Sequence, residues 1–270
     1  MADGRLLHFS VSQLKDFRRC PRLWALGKIF KERPPQSPSQ SRGTSLHKQP
    51  EAWLKAGIEP THEAFLAARP GLPVPHVDLM PEANLVDPTL FVEGTRFEGH
   101  SDLIVPPHLG KRFGVPEVVD WKFVGSFRYM EDPGNDLQML AYGYWVSRRW
   151  PEVREISLQL WYFMAEGSAD FKPQKVVVPV ERCEAEWLDI VVPTVRKMQA
   201  FVASAPAVFG AVPGNFSDNY AACRKYGGCY FASEAHCNVP TKSVKLSSRE
   251  RELLRLFDGG TKKSANGTGG

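Results

Sequence analysis

The segment VPEVVDWKFV (115–124) constrains this chain more than any other, because a valine-rich apolar run ends there in an acid and a base. Its composition and length read as a buried strand that starts after a proline. Charge in such a place is costly unless it is paired or ligated. Side chains alternate along a strand, so Asp120 and Lys122 project from one face and Trp121 from the other. The chain therefore has to build a sheet with a polar site at the end of one of its apolar strands.

The surrounding elements predict what that sheet contains. LFVEGTRFEGHSDLIV (90–105) reads as a hairpin with Gly94 and Thr95 near its turn, which puts Asp102 on the second hairpin strand. A helix follows the Asp120 strand, from about 135 to 149, with apolar residues at Leu137, Leu140, Ala141, Tyr144 and Trp145. Strands are expected at 155–164 and 174–180, and an amphipathic helix at 183–204. Upstream, Ser10 and Gln13 have capping-box spacing, so a helix is expected from about 11 to 27, broken or restarted at Pro21. PPQSPSQSRG (34–43) reads as a flexible linker. A second helix is expected from Thr44 to about Lys55, with His47 and Glu51 on one face. The proline-dense residues 69–88 read as irregular, and a short helix is expected at 247–257 before a Gly/Ser/Thr tail. Three strands, a helix and further strands in succession predict an α/β core, a small mixed central sheet flanked by helices.

If the second and third strands pair, Asp102 lies beside Asp120 and two carboxylates converge. Such a pair suits a hard cation such as Mg²⁺, which accepts phosphate oxygens as further ligands. A neighbouring lysine would orient a water or stabilise charge on a phosphoryl oxygen. Composition narrows the field further. With 43% hydrophobic and 24% charged residues the chain reads as an ordinary globular protein. No stretch approaches ~18 consecutive apolar residues, and the N-terminus lacks the pattern of a secretory signal, so a cytoplasmic location is expected. The net charge of +4 conceals an asymmetry: 10 basic against 3 acidic residues in 1–48, 7 against 3 in 242–270, and 17 against 24 between them. Basic ends around an acidic centre suit a protein that grips polyanions, and they equally suit an acidic domain with solvated flanks.

The cysteines form a second pattern. Cys20 stands alone near the start, while Cys223, Cys229 and Cys237 lie close together in CRKYGGCYFASEAHC. One distant and three clustered thiols supply the four ligands of an iron–sulfur cluster or a zinc site, and in a reducing compartment that reading is preferred to disulfides. Cys183 has no such partner and reads as structural. Arg18, Arg19, Arg22, Arg224 and Lys225 lie near these cysteines in sequence, with Tyr226, Tyr230 and Phe231 interleaved. Those rings either pack around the site or stack on single strands.

In order along the chain, FSVSQLKDFRRCPRLWAL (9–26), GTSLH (43–47), FEGHSDLIV (97–105), VVDWKF (118–123) and DLQMLAYGYW (136–145) resemble the motifs of PD-(D/E)XK nucleases. They are most similar to the RecB-like branch that carries an iron–sulfur cluster, which includes CRISPR-associated RecB-type exonucleases and AddB-type nuclease domains. The resemblance implies a restriction-endonuclease-like core with N- and C-terminal segments joined by a four-cysteine cluster. One nuclease domain would occupy 1–240, its cluster subdomain 1–33 and 206–240, followed by a basic helix and tail at 241–270. It implies that His47, Asp102 and Asp120 bind Mg²⁺ or Mn²⁺, helped by the backbone carbonyl of Trp121, and that Lys122 positions the attacking water. Gln138 and Tyr142 would contact the DNA backbone or support Lys122. Cys20, Cys223, Cys229 and Cys237 would hold a 4Fe-4S cluster, with zinc the second candidate.

The expected activity is a metal-dependent deoxyribonuclease, an exonuclease on single-stranded ends or flaps, in repair, recombination, replication or the processing of foreign DNA. The alternative is a non-catalytic DNA-binding or scaffold protein that retains the fold. The chain carries no G-x-x-x-x-G-K-[ST] motif, so any coupling to unwinding needs a helicase or recombination partner.

Overall fold

Residues 8–29, 31–32, 38–85, 91–92 and 95–204 are described by a computed structural model. Its centre is a five-stranded mixed sheet in the order β2-β5-β6-β7-β8, built from β2 (Met80–Asn84), β5 (His100–Val105), β6 (Glu117–Val124), β7 (Glu155–Met164) and β8 (Phe171–Pro179). Only β6 and β7 run parallel, in a register that sets Lys122 opposite Tyr162; the other neighbours are antiparallel. A parallel pair requires a crossover, and α5 (Leu137–Arg149) supplies it. A smaller sheet, β1-β4-β3, joins β1 (His8–Ser10), β4 (Thr95–Glu98) and β3 (Phe91–Val92).

Alternation along the strands divides the core in two. Val118, Ile104, Leu158 and Leu160 face one cluster with Leu140 and Tyr142 of α5, Leu14 and Phe17 of α1 (Val11–Arg19) and Trp24 of α2 (Pro21–Lys28). Leu103, Val119, Trp121, Trp161 and Phe163 face the other, with Leu54 of α3 (Pro38–Ala56) and Phe65 of α4 (Glu63–Ala68). Asp120 and Lys122 share the parity of Val118, so they lie on the α5 side of the sheet. After β8 the chain forms α6 (Val180–Glu186), a wide π turn at Trp187–Val191 and α7 (Val192–Ser204).

Several expectations change. The Asp102 strand is not the second arm of a hairpin. β3 and β4 do pair antiparallel, but the chain changes sheets at Gly99, and β5 joins β2 and β6 instead. Gly99 suits that transfer, since a Cβ there would stand 2.8 Å from the Tyr142 ring. Within the proline-dense stretch lie a 3-10 turn, Arg69–Gly71, and the edge strand β2, which pairs with the Asp102 strand. The expected linker is in part helix, because α3 begins at Pro38, a residue suited to the first turn. The break at Pro21 is observed as the junction of α1 and α2 at Cys20. Cys183 is fully buried on α6 against α5, and burial pushes its thiol up to about 12, which leaves it inert. The expected helix at 247–257 lies outside the described residues.

A Cβ on Gly143 of α5 would meet Cys183 Sγ at 2.6 Å and Leu158 at 3.4 Å. Alanine is the better helix former by about 1 kcal/mol, yet overpacking a close-packed site costs about 1–3 kcal/mol. Gly143→Ala is therefore expected to lower stability in urea unfolding by about 1–2 kcal/mol, and adding Cys183→Ala is expected to restore most of it.

Candidate active site

The site begins with the start of α5. Asp136 caps that helix, its Oδ1 accepting from the amides of Gln138 at 2.7 Å and Met139 at 3.1 Å. Its other oxygen takes the Lys15 ammonium of α1 at 2.7 Å. Burial works to raise the Asp136 pKa, but Lys15 and the helix amides overcome it and hold the carboxyl below its ordinary range. The cap thus pins the first turn of α5, from which Gln138 points at β6. Its amide nitrogen donates to Asp120 Oδ1 at 3.0 Å and to the Tyr142 hydroxyl at 3.0 Å.

Asp120 and Lys122, two residues apart on β6, form an ion pair at 2.6 Å. The Asp120 side chain is 5% exposed and that of Lys122 is 32% exposed, so a molecule arriving from solvent meets the ammonium first. Burial pushes the Asp120 carboxyl up to about 6, with Lys122 opposing and Asp102 adding to the rise. For Lys122 burial works downward, and Asp120 more than compensates, so the amine stays protonated near neutral pH. The oxygen that takes Lys122 is Asp120 Oδ2, which is buried and has that ammonium at 2.6 Å as its close partner. A carboxylate oxygen with one close ammonium keeps lone-pair capacity for a further cation.

Asp102 stands one residue beyond the last paired position of β5 with β6, and its Oδ2 accepts from the Trp121 amide at 2.6 Å. His47 reaches the same carboxylate from α3, with Nδ1 at 3.6 Å, and its ring packs edge-on against Phe123. Burial acts to lower the His47 pKa, but Asp102 and then Asp120 raise it overall.

His47, Asp102, Asp120, Lys122, Gln138 and Tyr142 therefore form one connected patch. Trp121 contributes its backbone there, while its indole is buried on the opposite face. The chemistry of the donors, an imidazole and two carboxylates, suits a hard divalent cation, which would share the Asp120 oxygen that Lys122 takes here. Among the described residues, no three His, Cys, Asp or Glu side chains are grouped as a ready metal cage. Asp120 is turned to its lysine.

One residue here has no signal in the sequence. Glu82 lies on β2 between Pro81, which pairs with Leu103, and Ala83, which pairs with Ser101, and so falls opposite Asp102. Its backbone is left-handed, with φ of 53°, which is uncommon outside glycine. Burial raises its carboxyl, and Asp102 and Glu51 raise it further. Glu51 itself is tied to Lys55 at 2.6 Å. Of the four candidate cluster ligands, Cys20 is buried at the α1–α2 junction; Cys223, Cys229 and Cys237 lie outside the described residues.

Residues 8–72 match the model of the PD-(D/E)XK nuclease superfamily. That stretch contains Cys20 and His47, while Asp102, Asp120 and Lys122 follow it. The mixed sheet flanked by helices fits the restriction-endonuclease-like fold of these nucleases. No curated protein matches the chain. Among solved structures, the chain is similar to the crystal structure of SSO0001, with 16% identity, 74% of this chain and 78% of that chain covered, and a TM-score of 0.45.

The raised carboxyl has a consequence for stability. Because Asp120 holds its proton more tightly folded than unfolded, its contribution is present below about pH 4 and is lost as pH rises to about 6. In EDTA, wild-type stability relative to Asp120→Asn is expected to fall over that window, on the order of 3 kcal/mol, and to stay level above it. Urea unfolding of both proteins across pH 4–8 measures the difference.

Proposed function

We propose that this protein is a metal-dependent deoxyribonuclease that hydrolyses phosphodiester bonds, acting as an exonuclease on single-stranded ends or flaps. The single observation that carries the reading is the convergence of Asp102, Asp120, Lys122 and Gln138 at one end of β5 and β6, with His47 against Asp102. The match of residues 8–72 to a nuclease superfamily supports it.

In this reading His47, Asp102, Asp120 and the Trp121 carbonyl hold Mg²⁺ or Mn²⁺. When bound, the ion lowers the pKa of a water and neutralises charge on phosphate. The chain's own residues do the rest. Lys122, protonated and the more exposed of its pair, donates to a phosphoryl oxygen or to the attacking water. Gln138 fixes the Asp120 oxygen that faces α5. Asp102, tied to the Trp121 amide, fixes the end of β6. Because Lys122 carries its proton, its part is electrostatic and positional, and it does not serve as the base that deprotonates water.

Cys20, Cys223, Cys229 and Cys237 are proposed to hold an iron–sulfur cluster that clasps the two ends of the chain, with zinc as the other occupant. Closing so long a loop would stabilise the fold without taking part in hydrolysis. The setting proposed is cytoplasmic DNA repair, recombination, replication or foreign-DNA processing, with unwinding left to a helicase or recombination partner. Among the described residues no helix is long and apolar enough to cross a membrane.

The decisive assay uses end-labelled single-stranded DNA with Mn²⁺. Asp120→Asn keeps an acceptor for Gln138 and removes a ligand charge; it is expected to lower cleavage by about 10²–10³-fold while the protein remains folded. Lys122→Ala is expected to lose a similar factor, and EDTA to abolish cleavage. Full activity in Asp120→Asn would rule the mechanism out. Separately, anaerobically purified protein is expected to contain iron and acid-labile sulfide, both lost in Cys20→Ser.

A further inference from the structure

The face of the sheet opposite the ion pair reaches the site as well. Phe123 of β6 stands directly across from Phe163 of β7, and Phe163 from Phe171 of β8. Residues directly opposed across strands share a face, so the three phenylalanines form one row. The Phe123 and Phe163 rings stack with centres 5.3 Å apart, and those of Phe163 and Phe171 at 6.4 Å. Phe163, in the middle, is fully buried, and Phe65 of α4 packs on it at 5.5 Å. Where the row ends on β6 it meets two imidazoles. His47 of α3 lies edge-on to Phe123 with ring centres 5.2 Å apart, and His62, at the start of α4, does so at 5.9 Å. The His62 ring is held from its other side, its Nε2 donating to the Ala165 carbonyl just past β7 at 3.3 Å. The backbone amides of Thr61 and His62 both donate to Gln49 Oε1, at 2.9 and 3.0 Å, which ties the start of α4 to α3 two residues beyond His47. Phe123 is thus wedged between the two histidines.

We infer that Phe123 is a positioning residue for His47: its ring, aligned by the phenylalanine row and flanked by His62, sets the plane in which the imidazole faces the divalent cation. The inference rests on the nuclease reading, in which His47 is a ligand of that cation. His47 needs such a contact. Its Nδ1 stands 3.6 Å from Asp102 Oδ2, longer than a well-formed hydrogen bond, and its side chain is 35% exposed. Attraction between charges at that distance draws the imidazole towards the carboxylate and leaves the tilt of the ring open. A ring-on-ring contact is directional, because the quadrupole favours edge-on and offset arrangements over others. A ligand held in place by packing before the metal arrives loses less freedom on binding it. Phe123 shares the parity of Trp121, away from Asp120 and Lys122, so its influence on the cation runs through His47.

The test follows Mn²⁺ binding to the full chain by calorimetry at neutral pH, across a cycle of Phe123→Leu, His47→Ala and the two together. Leucine keeps an apolar group on β6 and removes the ring. Phe123→Leu is expected to weaken Mn²⁺ binding about 3- to 10-fold, the factor by which one aromatic pair biases an orientation. In the His47→Ala background the same change is expected to cost nothing further. An equal loss with and without His47, as a general disturbance of β6 would give, or wild-type affinity in Phe123→Leu, would overturn the positioning role and leave the nuclease reading standing. Mn²⁺ affinity unchanged by His47→Ala, or no binding by the wild type, would remove the cation site of that reading and the role of Phe123 with it. A measurement on the unaltered protein serves where Phe123→Leu does not fold. Nuclear Overhauser contacts between the His47 and Phe123 ring protons are expected both without metal and with saturating Mg²⁺, and their disappearance with Mg²⁺ would overturn the inference.

Discussion

The pairing of buried Asp120 with half-buried Lys122 is the constraint on which the rest of the site depends. Taking two charges out of water costs several kcal/mol each, and attraction repays that only where geometry and added hydrogen bonds are favourable. Here the second oxygen of Asp120 is met by Gln138, and Gln138 is held because Asp136 caps α5 and Lys15 holds Asp136. A chain of polar contacts therefore runs from α1 through the α5 cap to the end of β6. Each member is a modest interaction; together they fix one carboxylate in an otherwise apolar layer.

The same chain ties the site to the fold. α5 is at once the crossover that makes β6 and β7 parallel, the lid of one core cluster and the carrier of Gln138 and Tyr142. Tyr142 bears on Gly99, where the chain passes from the small sheet to the central one, so the glycine that permits the transfer also leaves room for the ring that receives Gln138. A shift of α5 by an ångström would disturb packing and the carboxylate together.

The strongly patterned parts of this arrangement were legible in the sequence. β6, β7 and α5 are long, apolar and bounded by clear breaks, and the two-residue period by itself sets Asp120 beside Lys122. The partners of Asp102 were less so. β2 reads MPEAN, with a proline and a glutamate where alternation would mark a strand, and it is held as an edge by pairing with β5. The move of the chain between sheets at Gly99 is a tertiary fact, since local propensity favours one continuous hairpin over 90–105. Glu82 was invisible because nothing local announces a left-handed glutamate; only the pairing of its neighbours sets it opposite Asp102. His47 is an ordinary helix residue by composition, and its meeting with Asp102 depends on how α3 lies against the sheet.

The electrostatic balance of the patch points one way. Asp102, Asp120, Glu82 and Glu51 are opposed by Lys122 and Lys55, and by His47 when it is protonated. Asp120 and Glu82 are raised first by burial and further by Asp102, with Lys122 opposing at Asp120, while His47 is raised by Asp102 against the effect of its own burial. Two different origins, low dielectric and crowded negative charge, thus act on three residues from three separate elements. Added positive charge beside Asp120 would relieve both at once, because it would offset the burial of the carboxylate and draw down the carboxyl pKa values that crowding holds up. Lys122 supplies part of that charge from within the chain, along one side of the Asp120 carboxylate. A divalent cation bound as proposed would complete the balance, and its need for an ionised Asp120 would make occupancy weaken as pH falls below about 6.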